Sequence, residues 1–82
     1  MIMDNHQKYN QVFMETFLLE ESALENDPVY NTIAEWDSIG HMGMIAALEE
    51  AFDIMMETDD IVDFSSYKKG MELLAKYGIA FQ

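Results

Sequence analysis

The sequence predicts an all-α domain, a small four-helix bundle made of three longer helices and one short one. Three observations predict it. Apolar residues recur at helical spacing in separate stretches. No stretch of useful length alternates apolar and polar residues as a strand would. Ser, Thr, Asp or Gly stand where those helices should begin and end. With 82 residues, half of them hydrophobic, the chain reads as one domain over 1–82, close to the lower size at which a single core holds.

The first helix is expected from about Asn5 to Leu19, where Tyr9, Val12, Phe13 and Phe17 share a face. A long connection follows, roughly 20 to 37, containing the only proline, Pro28, with Asn26, Asp27 and Asn31. Within it Ser22 to Glu25 has the form of a capping box, so a short turn is expected there. Val29, Tyr30, Ile33 and Trp36 are the residues that would pin the connection to the core. The second long helix should begin at Asp37 or Ser38 and end near Asp53. Thr58 would cap a short helix, about 59 to 63, that contributes Ile61, Val62 and Phe64. Ser65 or Ser66 would start the last helix, with Tyr67, Met71, Leu74 and Tyr77 inward and Gly78 ending it.

Charge narrows the function. Sixteen Asp and Glu face four Lys and no Arg, a net charge of -12, and no Lys or Arg lies between Lys8 and Lys68. Such a surface repels nucleic acid and anionic membranes and attracts basic protein partners. Cysteine is absent, which excludes a disulfide framework and a protein thiol nucleophile. No basic region followed by an apolar run opens the chain, and no stretch approaches transmembrane length, so a cytoplasmic, monomeric protein is expected. His6 and His41 lack the pairing of a zinc helix, and Asp59, Asp60 and Asp63 lack the central glycine and final glutamate of a calcium loop. No phosphate loop or nucleophile motif is present, so neither catalysis nor a metal is expected.

Residues 37–53 carry the strongest signal. At about 100° per residue they form two apolar faces. His41, Met44, Ile45, Leu48 and Phe52 make the expected core face. Ile39, Met42 and Ala46 lie nearly opposite, with Ser38, Glu49, Glu50 and Asp53 around them. An outward helix needs only one apolar stripe. The second reads as a docking surface, unless the long connection folds over it. Ser38 by itself reads as an N-cap.

The stretch resembles the modification site of the acyl carrier protein family. The matching residues are Asp37-Ser38-Ile39, Leu48-Glu49-Glu50, Phe52 and Ile54. Length, acidity and helix order extend the resemblance over essentially the whole chain, most tightly over 33–64. Trp36 before the Asp-Ser pair is similar to free-standing carriers of specialised pathways. The resemblance implies an acyl-carrier-type bundle and a 4′-phosphopantetheine group on Ser38. A separate Mg²⁺-dependent phosphopantetheinyl transferase would attach it from coenzyme A, and its thiol would carry an acyl thioester for fatty-acid, polyketide or related biosynthesis. It further implies that Asp37, Ile39, Met42, Ala46, Glu49, Glu50, Asp53 and Glu57 meet basic patches on that transferase and on acyl-loading enzymes. An aminoacyl or peptidyl carrier is the alternative within the family, and an unmodified acidic interaction module the alternative outside it. The chain departs from the family at Gly40 and Gly43, where fatty-acid carriers usually have polar or acidic side chains. These glycines serve either packing of the loop against the helix or close approach of a partner.

Overall fold

The computed structural model describes residues 4–81. They form five α-helices: α1 Asn5–Phe17, α2 Glu21–Leu24, α3 Ser38–Phe52, α4 Thr58–Asp63 and α5 Tyr67–Ala75. The domain is all-α, and its β pairing among the described residues is an isolated bridge between Val29 and Ser66. Two short helices accompany the three long ones, where one was expected. The additional one, α2, is a single turn inside the long connection.

α1 starts at a complete capping box. Asp4 Oδ1 accepts the Gln7 N–H at 2.8 Å, and Gln7 Oε1 accepts the Asp4 N–H at 3.0 Å. The helix ends at Leu18, whose left-handed backbone (φ 55°) turns the chain. Tyr9, Phe13 and Phe17 recur every fourth residue and are fully buried. Trp36 completes this aromatic core, stacked on Phe17 with centroids 4.8 Å apart and edge-on to Phe13 at 5.3 Å. α3 packs against α1 through Met44, Ile45 and Leu48, with Phe52 half-buried. α5, capped by Ser66 Oγ accepting the Lys69 N–H, closes the core with Tyr67, Leu73 and Leu74. Burying each of these large side chains stabilises the fold by about 1.5–3 kcal/mol.

The connection between α2 and α3 lies on the body of the domain because its backbone finds partners there. Tyr30 N–H donates to the Ser65 carbonyl (2.8 Å), Tyr67 N–H to Pro28 (2.9 Å) and Asn31 N–H to Trp36 (2.9 Å). Asp27 Oδ1 accepts the Lys68 N–H at 2.8 Å. Trp36 and, in part, Ile33 are drawn into the core, whereas Val29 and Tyr30 stay partly exposed.

Three local expectations are corrected. Ser22 does not cap α2: the helix begins two residues earlier than such a cap requires, at Glu21 after Glu20, and has no side-chain cap. Thr58 does not cap α4 but is its first residue. Glu57 stands before it in extended conformation, its N–H held by the Tyr77 hydroxyl at 2.9 Å. Val62 is not a core residue: it is 74% exposed, because the buried side of α4 is taken by Asp60.

Candidate functional site

Asp37 and Ser38 are both good capping residues, and the backbone assigns the role to Asp37. Its extended conformation lets Oδ1 accept the Gly40 N–H at 2.8 Å. Ser38 becomes the first helical residue, its side chain exposed and outside the capping bond. The expectation that Ser38 serves as the cap is therefore corrected. Gly40 is required by the same turn: a Cβ there would lie 2.0 Å from the Glu35 carbonyl oxygen.

Ser38 borders a cleft of about 370 Å³, lined also by Tyr30, His41, Met42, Ile61, Val62 and Ser65, with Phe64 beneath. Its walls are the connection, α3 and α4. Its surface is mostly apolar, although it opens to solvent beside a hydroxyl.

His41 ties these walls together. The Trp36 indole N–H can only donate, and it reaches His41 Nδ1 at 2.9 Å. The ring proton therefore sits on Nε2, which donates to the Ile61 carbonyl of α4 at 2.8 Å. Tyr30 meets the imidazole edge-on, with centroids 5.3 Å apart. His41 is thus on the core side, as its spacing predicts, and acts as a polar strut across the cleft floor.

The second apolar face of α3 is uncovered. Ile39 is 83% and Met42 54% exposed, and Ala46 is exposed as well. The connection packs on the other side, through Trp36, so it does not fold over this face. Glu50, Asp53 and Glu57 are exposed. Glu49 is half-buried, and one of its carboxylate oxygens holds the Met56 N–H at 2.9 Å, fastening the turn after α3.

Among the acids near α4, Asp60 stands apart. It is buried and accepts from the Lys76 ammonium at 2.6 Å and the Tyr77 hydroxyl at 2.5 Å. The Lys76 bond, then the Tyr77 bond, hold its carboxyl below the ordinary carboxylate range, and the same contacts raise Lys76 and Tyr77. Among the described residues no three His, Asp or Glu side chains converge on a point that could hold a metal ion. Among the described residues no helix is long and apolar enough to cross a membrane.

Of the cleft residues, sequence reasoning singled out only Ser38 and Met42 as a site; His41, Ile61, Val62 and Phe64 read as packing residues, Tyr30 as an anchor of the connection and Ser65 as a helix start. Val62 carried a weak signal, as an aliphatic residue in a six-residue helix otherwise dominated by acids. Tyr30 and Ser65 are brought to the cleft by the bond between their backbones, which no local pattern announces. No family model, curated protein or solved structure matches this chain.

Proposed function

We propose that this chain is a discrete acyl carrier protein of four-helix carrier type, with α2 as an added turn in its long connection, modified at Ser38 by 4′-phosphopantetheine. The observation that carries the proposal is the state of Ser38. Its hydroxyl is exposed at the first position of a fifteen-residue helix, the capping bond has been taken over by Asp37, and an apolar cleft opens beside it. A serine needed only for helix capping would occupy the position that Asp37 fills.

The residues present fit the group. The start of α3 offers backbone N–H groups and a helix dipole that favour a phosphodiester on Ser38. Met42, Ile61 and Val62 provide an apolar wall within reach of Ser38. When bound, the group would supply the thiol that this cysteine-free chain lacks and hold an acyl chain on it as a thioester. Ser38 contributes its Oγ: the O–P bond forms as the pyrophosphate bond of coenzyme A breaks, the nucleotide half leaves, and the hydroxyl proton passes to a base on the transferase. Ile39, Met42 and Ala46, with Glu50, Asp53 and Glu57 around them, form the face such an enzyme would cover. Glu49 contributes to it only after satisfying Met56.

Intact-mass measurement after incubation with coenzyme A, Mg²⁺ and a broad-specificity phosphopantetheinyl transferase tests the assignment. The expected result is a gain of one phosphopantetheine that disappears in Ser38→Ala. No gain would leave an unmodified acidic interaction module as the better reading, and a gain that survives the substitution would overturn Ser38 as the attachment site.

A further inference from the structure

The two glycines of α3 have different surroundings, and the difference points outward. Gly40 is enforced from within, since the Glu35 carbonyl occupies the space of its Cβ. Nothing lies within 4 Å of where a Cβ would sit on Gly43. Gly43 is exposed, in the interior of the helix, and its φ lies outside the left-handed region. A glycine at such a position weakens the helix relative to alanine, and no contact within the domain requires it.

Gly43 lies in the uncovered face, one turn after Ile39 and one turn before Ala46 and Ala47, with Met42 beside it. These neighbours leave a stretch of open helix backbone beside two exposed apolar side chains, Ile39 and Met42. Along the axis, five residues separate Gly43 from Ser38, about 8 Å at the helical rise. Around the axis they lie about 140° apart, so an enzyme that reaches the Ser38 hydroxyl meets Gly43 by extending across the outward face that Ile39 and Met42 occupy. α3 carries no Lys or Arg, while Glu50 and Asp53 are exposed toward its C-terminal end. The surface that complements it has an apolar centre and a basic margin.

We propose that Gly43 is the point of closest approach for the basic enzyme that modifies Ser38, an apolar side chain of that enzyme packing on the open backbone between Ile39 and Ala47. This rests on the reading of Ser38 as the attachment site. Gly43 is then a specificity-determining residue: a side chain there holds the enzyme away from the helix while leaving the fold intact.

The test measures initial rates of phosphopantetheine transfer by intact mass, together with thermal midpoints, for the wild type, Gly43→Ala, Gly43→Leu and a control on α5, Glu72→Leu. Gly43→Ala should melt about 2–8 °C higher, because it removes a helix-interior glycine where there is room for the methyl. It should nevertheless be modified roughly fivefold more slowly, and Gly43→Leu more than about tenfold, as expected for overfilling a packed contact. The loss should fall mainly on KM, and Glu72→Leu should be modified like the wild type. A modified wild type with unchanged rates in both Gly43 variants overturns the role of Gly43 and leaves Ser38 standing. A lower midpoint for Gly43→Ala also overturns it, by showing that the fold itself needs the glycine. An unmodified wild type overturns the Ser38 reading, and this inference with it.

Discussion

α1 and α4 are held in the domain by opposite means. α1 is thirteen residues long, fully capped at its start, and anchored by three completely buried aromatic rings. α4 has six residues and no side-chain cap, leaves Val62 in solvent, and counts Asp60 as its buried residue. Beside a half-buried Ile61 and the buried Phe64 at its end, what fixes α4 is polar: Asp60 to Lys76 and Tyr77 on one side, and the Ile61 carbonyl to His41 on the other. Apolar burial is non-directional and shared among many contacts, whereas two or three hydrogen bonds can be broken and remade singly. The scaffold and the α4 wall of the Ser38 cleft are thus built from different interactions.

The largest effect should come from attacking the scaffold. Phe13→Ala removes a ring in contact with Tyr9, Phe17, Trp36, Phe64 and Tyr67. The cost should be about 3–5 kcal/mol. In a domain whose total stability is of the order of 5–15 kcal/mol, that is enough to unfold much of the population. Denaturant melts followed by circular dichroism measure it. A loss below about 1 kcal/mol would place the stability of the domain elsewhere than in the rings.

An intermediate effect should come from the strut. His41→Ala leaves the buried Trp36 N–H and the Ile61 carbonyl without their partners, at a cost of about 1–3 kcal/mol. The distribution of that cost is the sharper observable. Amide exchange should accelerate across α4 and the connection around Trp36, while the amides of α1 keep the protection set by global unfolding. Equal acceleration in α1 and α4 would mean the two are one cooperative unit and would end the distinction.

The same contrast decides what could be read in the chain. Tyr9, Phe13 and Phe17, or Met44, Ile45 and Leu48, announce themselves because a helix of several turns repeats its buried face often enough to be seen. α4 is too short to establish a period, so Val62 reads as core although it is exposed, and Asp60 reads as one acid in a run although it is buried. The partners of Asp60 lie 16 and 17 residues further on, where nothing local marks them. At the start of α3, Asp and Ser are comparable caps, and only the extended backbone at Asp37 decides between them. The two glycines look alike in sequence, yet one answers to a carbonyl inside the domain and the other to open space. Features set by one helix were legible, and features set by contacts between distant segments were not.

The smallest effect, and the most specific to α4, concerns Asp60 and acid. Its carboxyl titrates below the ordinary value of 3.8 in the folded chain, chiefly through the Lys76 bond and then the Tyr77 bond. A carboxyl whose folded value is depressed stabilises the fold fully above its unfolded value, and that contribution fades as pH falls through the folded one. Lys76 mirrors it at the other end: its value is raised above 10.5, so its share persists at neutral pH and is lost as pH rises past that raised value. Asp60→Asn keeps an acceptor for Lys76 and Tyr77 but removes the charge. It should melt slightly below the wild type at neutral pH, and the two midpoints should converge as pH drops below about 4. Thermal melts across that range measure the convergence. A gap that stays constant into acid would mean that shape rather than charge holds Asp60, and α4 would then be packed much as α1 is.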